Sequence, residues 1–233
     1  MTMDRFNIVG KHVPRNDAHA KARGSAAYTD DMKLPGMLHG RILRSPFAHA
    51  RIVRIDTSKA ASLPGVKCVI TGEDTPKIKY GNWRLFPETQ DEYPLAVDKV
   101  RFIGDEVAAV AAVDKDTAEE ALERITVEYE ELPGLFDVDS AIKRGAVAIH
   151  DYCTNNISVN RKIQYGDVEK GFAESDYVRE DTFKVHAVSH AYLEPCSALA
   201  QVDLDGRITL WTSTQVPYIV QCLLATTLGM REN

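Results

Sequence analysis

Few side chains in this chain have the type and spacing that chemistry needs. His39, His49, His150, His186 and His190, with Cys153 or Cys196, are the candidate zinc ligands. No two of them form a knuckle pair with a second pair to match. His186 and His190 are four residues apart. On a strand they would share a face yet stand about 13 Å from one another, too far to bind one ion. Cys196 lies close in sequence to Glu194 and His190, the ingredients of a nucleophile, a base and an orienting group. Its surroundings, AYLEPCSALA, contain no nucleophile turn, and a cysteine flanked by apolar residues is expected to be an inert part of the core. Glu128, Glu130 and Glu131 read as the solvated side of a strand end. Neither a Walker loop nor a GxGxxG motif follows any strand, so phosphate binding gains no support.

Thr212-Ser213-Thr214-Gln215 is more informative. It closes an expected strand and runs directly into an expected helix, and ends of strands are where open sheets place their ligand contacts. Gln215 offers an amide donor and a carbonyl acceptor, enough to hold a ligand oxygen without adding charge. The competing reading is that Thr214 or Gln215 caps the next helix. Spacing alone leaves both open.

The elements that must position these groups follow from pattern. Met37–Leu43 and Ala50–Ile55 read as strands, separated by a bridge containing Pro46, which a central strand excludes. Ser58–Leu63 is a short helix stopped by Pro64-Gly65, and Val66–Thr71 is a strand. Residues 72–93 form an irregular excursion. EVAAVAAV, Glu106–Val113, has the length and small, β-branched composition of a strand buried on both faces. Asp116, three residues before Glu119, is the expected helix N-cap. Ala118, Ala121, Leu122 and Ile125 make one apolar stripe, and Thr126–Glu130 resumes as a strand.

Further on, Val168–Ala173 is a helix introduced by Gly166-Asp167, and Tyr177–Val188 is expected to be an extended strand. Asp205-Gly206 joins two strands, Ser197–Leu204 and Arg207–Thr212, as a hairpin. Pro217 opens a helix over Tyr218–Leu228 that Gly229 ends.

Composition restricts the function classes. The chain has 233 residues, 44% hydrophobic and 27% charged, with a net charge of −6. That is globular composition, with an acidic balance unsuited to coating nucleic acid. No apolar run reaches the roughly 20 residues of a bilayer span. Met1–Arg15 lacks the apolar middle of a secretory signal, and the four cysteines lack pairing patterns. A cytoplasmic protein with reduced thiols is expected.

Three long blocks carry a resemblance: GSAAYTDDMKLPGMLHGRILRSPFAHARIVRIDTSKAASLPGV (Gly24–Val66), EYPLAVDKVRFIGDEVAAVAAVDKDTAEEALERITVEYEELP (Glu92–Pro133) and HAYLEPCSALAQVDLDGRITLWTSTQVPY (His190–Tyr218). They resemble the molybdenum-binding large subunit of the xanthine dehydrogenase/aldehyde oxidase family. DEYPLAVDKVRF and TSTQVPY are most similar to the 4-hydroxybenzoyl-CoA reductase branch. The resemblance implies an α+β chain: a lead-in over residues 1–23, an α/β hammerhead domain over 24–135, and the start of a mixed α/β molybdopterin-binding domain over 136–233.

It also implies a molybdenum–molybdopterin cofactor, in its cytosine dinucleotide form, shared with polypeptide beyond this sequence. [2Fe-2S] clusters and FAD belong to a small and a medium partner subunit. The substrate class is a small aromatic, heteroaromatic or aldehyde compound, with a CoA thioester for the reductase branch.

Gln215 matches the family glutamine that hydrogen-bonds an oxo ligand of molybdenum. The family's GGGFGG loop and its GxGE glutamate base have no counterpart here, so no catalytic residue and no direct metal ligand are assigned within the chain. An N-terminal piece or a split subunit, inactive alone, is expected. A non-catalytic module that docks to an iron–sulfur subunit is the alternative. Arg41, Arg44 and His49, around the Pro46 turn, remain unassigned: they face a partner or a substrate anion, or are simply exposed charges.

Overall fold

A computed structural model describes residues 6–81, 89–153 and 155–232. The chain divides into two compact units, Met1–Pro35 with Val185–Gln215, and Gly36–Lys184 with Val216–Asn233.

The larger unit is built on two antiparallel three-stranded sheets. One has the order β1 (His39–Arg44), β5 (Glu106–Ala112), β3 (Val66–Thr71). The other has the order β4 (Lys99–Val100), β2 (Ala50–Asp56), β6 (Thr126–Glu131). Strand β5 is central, and its Val107, Ala108, Val110 and Ala112 are buried, as its unbroken apolar run requires. Its alanines leave room for α3 (Lys115–Glu123), whose Ala118 and Ala121 are buried together with Ile125. Ala60 of α2 (Ser58–Ala61) joins that core. A second cluster gathers Ala50, Ala96, Val100 and Val107, and Ile55 and Val127 pack against both clusters, so the two sheets share one interior. Helix α3 thus hands the chain from one sheet to the other, which strand–helix–strand patterning does not reveal.

The cap of α3 is Asp114, whose carboxylate accepts the Thr117 N–H at 2.7 Å. This corrects the expectation of Asp116: the helix starts two residues earlier, and Asp116 lies in its first turn. Asp137 and Asp167 cap α4 (Val138–Ala141) and α5 (Val168–Ala173) in the same manner. In α6 (Pro217–Leu228), proline opens the helix and Gly229, at φ 65°, closes it. The expected strand over Tyr177–Val188 does not form; these residues join no ladder among the described residues.

The smaller unit carries a hairpin of β7 (Ala198–Val202) and β8 (Ile208–Thr212). Its turn is tied by Asp203, which accepts the N–H groups of Asp205 and Arg207, and only Gly206 takes positive φ. A 3-10 turn at Thr29–Asp31 lies against β7, and α1 (Ala18–Ala22) precedes it. No helix among the described residues is long and apolar enough to cross a membrane.

Candidate functional site

The hairpin ladder of the smaller unit ends at the pair Ala198–Thr212, and hydrogen bonds continue past it. The Ser213 N–H donates to the Ser197 carbonyl at 3.2 Å. The Ser213 hydroxyl accepts the Ser197 N–H at 3.0 Å and lies 3.3 Å from the Pro195 carbonyl and 3.4 Å from that of Ser197. Thr212 Oγ1 donates to the Ser197 carbonyl at 3.3 Å. Two residues beyond this braced end, Gln215 sits at a bend, exposed, its side chain making no hydrogen bond among the described residues. The N-cap of α6 is Val216, so neither Thr214 nor Gln215 holds that position. Gln215 thus presents a neutral amide, both donor and acceptor, just past a strand end.

The other candidates have different duties. Arg41 pairs with Glu119 at 2.9 Å, and Arg44 bonds both Glu106 at 2.6 Å and the Gly104 carbonyl at 2.8 Å. Both arginines are thus bound within the fold. His49 is 1% exposed, with Nδ1 2.9 Å from the Pro133 carbonyl; it is a buried tie rather than an exposed charge. Glu130 and Glu128 face Arg51 and Arg54 across β2 and β6. Cys196 is exposed, not core, and its partner is the Tyr192 hydroxyl at 2.8 Å rather than Glu194 or His190. All four cysteines are free. No three His, Cys, Asp or Glu side chains converge as a ligand set among the described residues.

Sequence reasoning missed a charged cluster in the larger unit. A cavity of ≈ 180 Å³ there is lined by Asp91, Glu92, Arg101, Asp105, Glu106 and His150. Burial raises the Glu92 and Asp105 carboxyls, with neighbouring acids adding to it. Burial, then Arg101, lowers His150, while Asp91 at 3.5 Å opposes the shift. A wider cavity of ≈ 680 Å³, including Phe136, Val138, Tyr152 and Ile157, shares Asp91 and His150. Neither cavity includes Gln215. The signal available in sequence was the density of charge at Asp91, Glu92, Arg101, Asp105 and Glu106, which counted there only toward family likeness.

Residues 23–133 match the family described as aldehyde oxidase and xanthine dehydrogenase, a/b hammerhead domain, and residues 149–233 match the molybdopterin cofactor-binding domain. The chain belongs to the xanthine dehydrogenase/aldehyde oxidase family. The two sheets and their helix are its hammerhead domain, and the hairpin and α6 lie in the start of its molybdopterin-binding domain. The nicotinate dehydrogenase large molybdopterin subunit of Eubacterium barkeri is 38% identical over 213 residues, 91% of this chain and 49% of that protein. The xanthine dehydrogenase molybdenum-binding subunit of Escherichia coli O157:H7 is 36% identical, over 89% of this chain and 28% of that subunit. The crystal structure of quinoline 2-oxidoreductase from Pseudomonas putida 86 superposes with a TM-score of 0.84 at 34% identity, over 96% of this chain and 29% of that one. The chain thus spans half or less of these relatives.

Proposed function

We propose that this chain forms part of the large subunit of a cytoplasmic molybdenum hydroxylase and that Gln215 stands at the edge of the cofactor pocket. The observation that carries this reading is the exposed Gln215 amide, unpaired among the described residues, just beyond the braced end of β8. When bound, the molybdenum–molybdopterin group, in its cytosine dinucleotide form, supplies the two-electron redox chemistry. This chain would supply position: the Gln215 Nε2–H would donate to an oxygen of the bound cofactor, orienting it without adding charge. In this assignment residues 24–135 are the hammerhead, 136–233 begin the cofactor-binding domain, and the general base comes from other polypeptide. Residues 157–196 favour a contribution from other polypeptide, since all of them are exposed, Ile163 at 94% and Tyr165 at 97% included. So much apolar surface is expected to be covered by more protein.

The partners in this reading are the remainder of the large subunit, a [2Fe-2S] small subunit and an FAD medium subunit. The substrate is a small heteroaromatic ring, the class that the names of the nicotinate, xanthine and quinoline enzymes share. The narrower reading, reductive removal of a ring hydroxyl from a CoA thioester, rests on the likeness of Asp91–Phe102 and Thr212–Tyr218 to 4-hydroxybenzoyl-CoA reductase. The non-catalytic alternative cast Gln215 as a helix cap, and Val216 holds that position.

The test is Gln215→Ala in the assembled enzyme. Molybdenum content and subunit association should persist while turnover falls about 10- to 100-fold. Unchanged turnover overturns the assignment of Gln215. Assaying nicotinate oxidation beside reductive dehydroxylation of 4-hydroxybenzoyl-CoA decides between the two substrate readings.

A further inference from the structure

We infer that Ser213 is a positioning residue that sets the pose of Gln215, and this rests on the reading of Gln215 given above. Three polar contacts converge on one side chain. The Ser213 hydroxyl accepts the N–H of Ser197 at 3.0 Å and has two carbonyls, Pro195 at 3.3 Å and Ser197 at 3.4 Å, within reach of its single proton. The backbone N–H of the same residue donates to the Ser197 carbonyl at 3.2 Å. Ser213 therefore closes the hairpin after its last ladder pair, where backbone bonding alone would begin to fray.

Gln215 is two residues away and has no side-chain hydrogen bond of its own among the described residues. Nothing shown at Gln215 fixes where its amide points, so direction is imposed from the strand end. A neutral donor acts on a cofactor oxygen only when it is held in place before the reaction, because displacement of about 1 Å removes most of the effect. The serine hydroxyl is suited to this because it accepts and donates at once, joining two stretches of chain.

The same segment contains its own control. The Ser197 hydroxyl is buried and has no hydrogen-bond partner among the described residues, while its backbone N–H and carbonyl carry the brace. Ser197→Ala removes an unused hydroxyl and leaves both braced groups in place. Ser213→Ala removes the used one and leaves the Ser197 N–H without its acceptor.

Both substitutions are to be made in the assembled holoenzyme, with Ser213→Thr as the conservative variant and Gln215→Ala as the reference. Amide hydrogen exchange at residues 213–215 and the electron paramagnetic resonance spectrum of the reduced molybdenum centre are measured alongside turnover. For Ser213→Ala we expect exchange about tenfold faster, about the effect of one net hydrogen bond. Its spectrum should shift in the direction of the Gln215→Ala spectrum. Ser213→Thr should restore both signals, and Ser197→Ala should change neither.

Unchanged exchange in Ser213→Ala shows that the brace does not hold the loop, and faster exchange with an unshifted spectrum shows that it does not position Gln215. Either result overturns the inference. If Gln215→Ala itself leaves the spectrum and turnover unchanged, the underlying reading of Gln215 fails instead, whatever Ser213 does. Should Ser213→Ala fail to assemble, Ser213→Cys, with a weaker acceptor, takes its place under the same criteria.

Discussion

Lys99 Nζ lies 2.7 Å from Asp151 Oδ1, and the lysine side chain is only 11% exposed while the aspartate is 74% exposed. Lys99 belongs to the region matched as the hammerhead, and Asp151 to the region matched as the cofactor-binding domain, yet both sit in one compact unit. The pair is thus a tie across a family boundary that the fold does not treat as a boundary. Losing the exposed carboxylate leaves a desolvated ammonium uncompensated, whereas losing the lysine charge leaves a carboxylate that is still in water. Asp151→Asn should lower stability by about 1 kcal/mol, discounted for the exposure of the carboxylate. Lys99→Met, which fills the same space without charge, should stay within about 1 kcal/mol of the parent chain. Urea denaturation of both variants checks the order; a larger loss in Lys99→Met contradicts it.

His150 predicts how stability depends on pH. Burial, followed by Arg101, places its folded-state pKa below the ordinary value of 6.5, although Asp91 pulls the other way. Lys79 and Lys99 add to the lowering. The folded state therefore disfavours the protonated ring. Stability from this source is complete above about pH 6.5 and declines as pH falls through the folded-state value. The raised carboxyls of Glu92 and Asp105 have the opposite sign, favouring the fold as they protonate, and they act nearer the carboxylate range. The expected result is a melting temperature that falls between pH 7 and pH 5.5 in the parent chain and falls less in His150→Gln. Parallel curves for the two proteins contradict the assignment.

Much of this architecture was legible because local chemistry and final fold agree. Val66–Thr71 and Val168–Ala173 form over the expected residues, since one is β-rich and bounded by a turn and the other has an aspartate cap. The failures have physical causes. Asp114 and Asp116 both precede Thr117, and only the helix start decides which carboxylate reaches an orphan N–H. Tyr177–Val188 has strand composition, but a strand requires a ladder partner, which no local pattern specifies. The position of Gln215 at a strand end was readable from Thr212–Pro217, whereas its cofactor role came from resemblance alone. Ser213 and the Lys99–Asp151 tie depend on contacts with residues 16 and 52 positions away.

Gly72 is required by a close approach rather than by a turn. A Cβ built there would collide with the carbonyl oxygen of Ala96 and lie 3.0 Å from the Cα of Val97, both backbone atoms that cannot swing aside. Ala96 is itself fixed, its N–H donating to the Glu106 carbonyl at 2.6 Å. Gly72→Ala must move the end of β3 away from the Leu95–Val97 segment and disturb the cluster containing Ala96 and Val100. A loss of about 2–4 kcal/mol is expected, at the upper end of overpacking costs because the obstacle is main chain. Gly145→Ala, where the added carbon meets nothing within 4 Å, should cost less despite its φ of +84°. Denaturant midpoints of the two variants test the ranking.

The alanines between α3 and β5 set how closely helix and sheet approach. Ala108, Ala118 and Ala121 have no exposed surface, and Val110 and Ile125 fill the space beside them. Enlarging a residue in this seam and shortening one next to it should therefore fail for different reasons. Ala121→Leu adds volume at a fully buried position of this cluster, and an overpacking loss of about 1–3 kcal/mol is expected. Ile125→Ala leaves a void below the last turn of α3, with an expected loss of about 2–4 kcal/mol. The double variant separates packing from simple additivity, because the enlarged side chain at position 121 has part of the vacated volume available one helical turn away. Its loss should be at least about 1 kcal/mol smaller than the sum of the two single losses, as expected for residues that share a cavity. Strict additivity would mean that positions 121 and 125 do not share that volume, and that α3 is held to β5 by its other contacts.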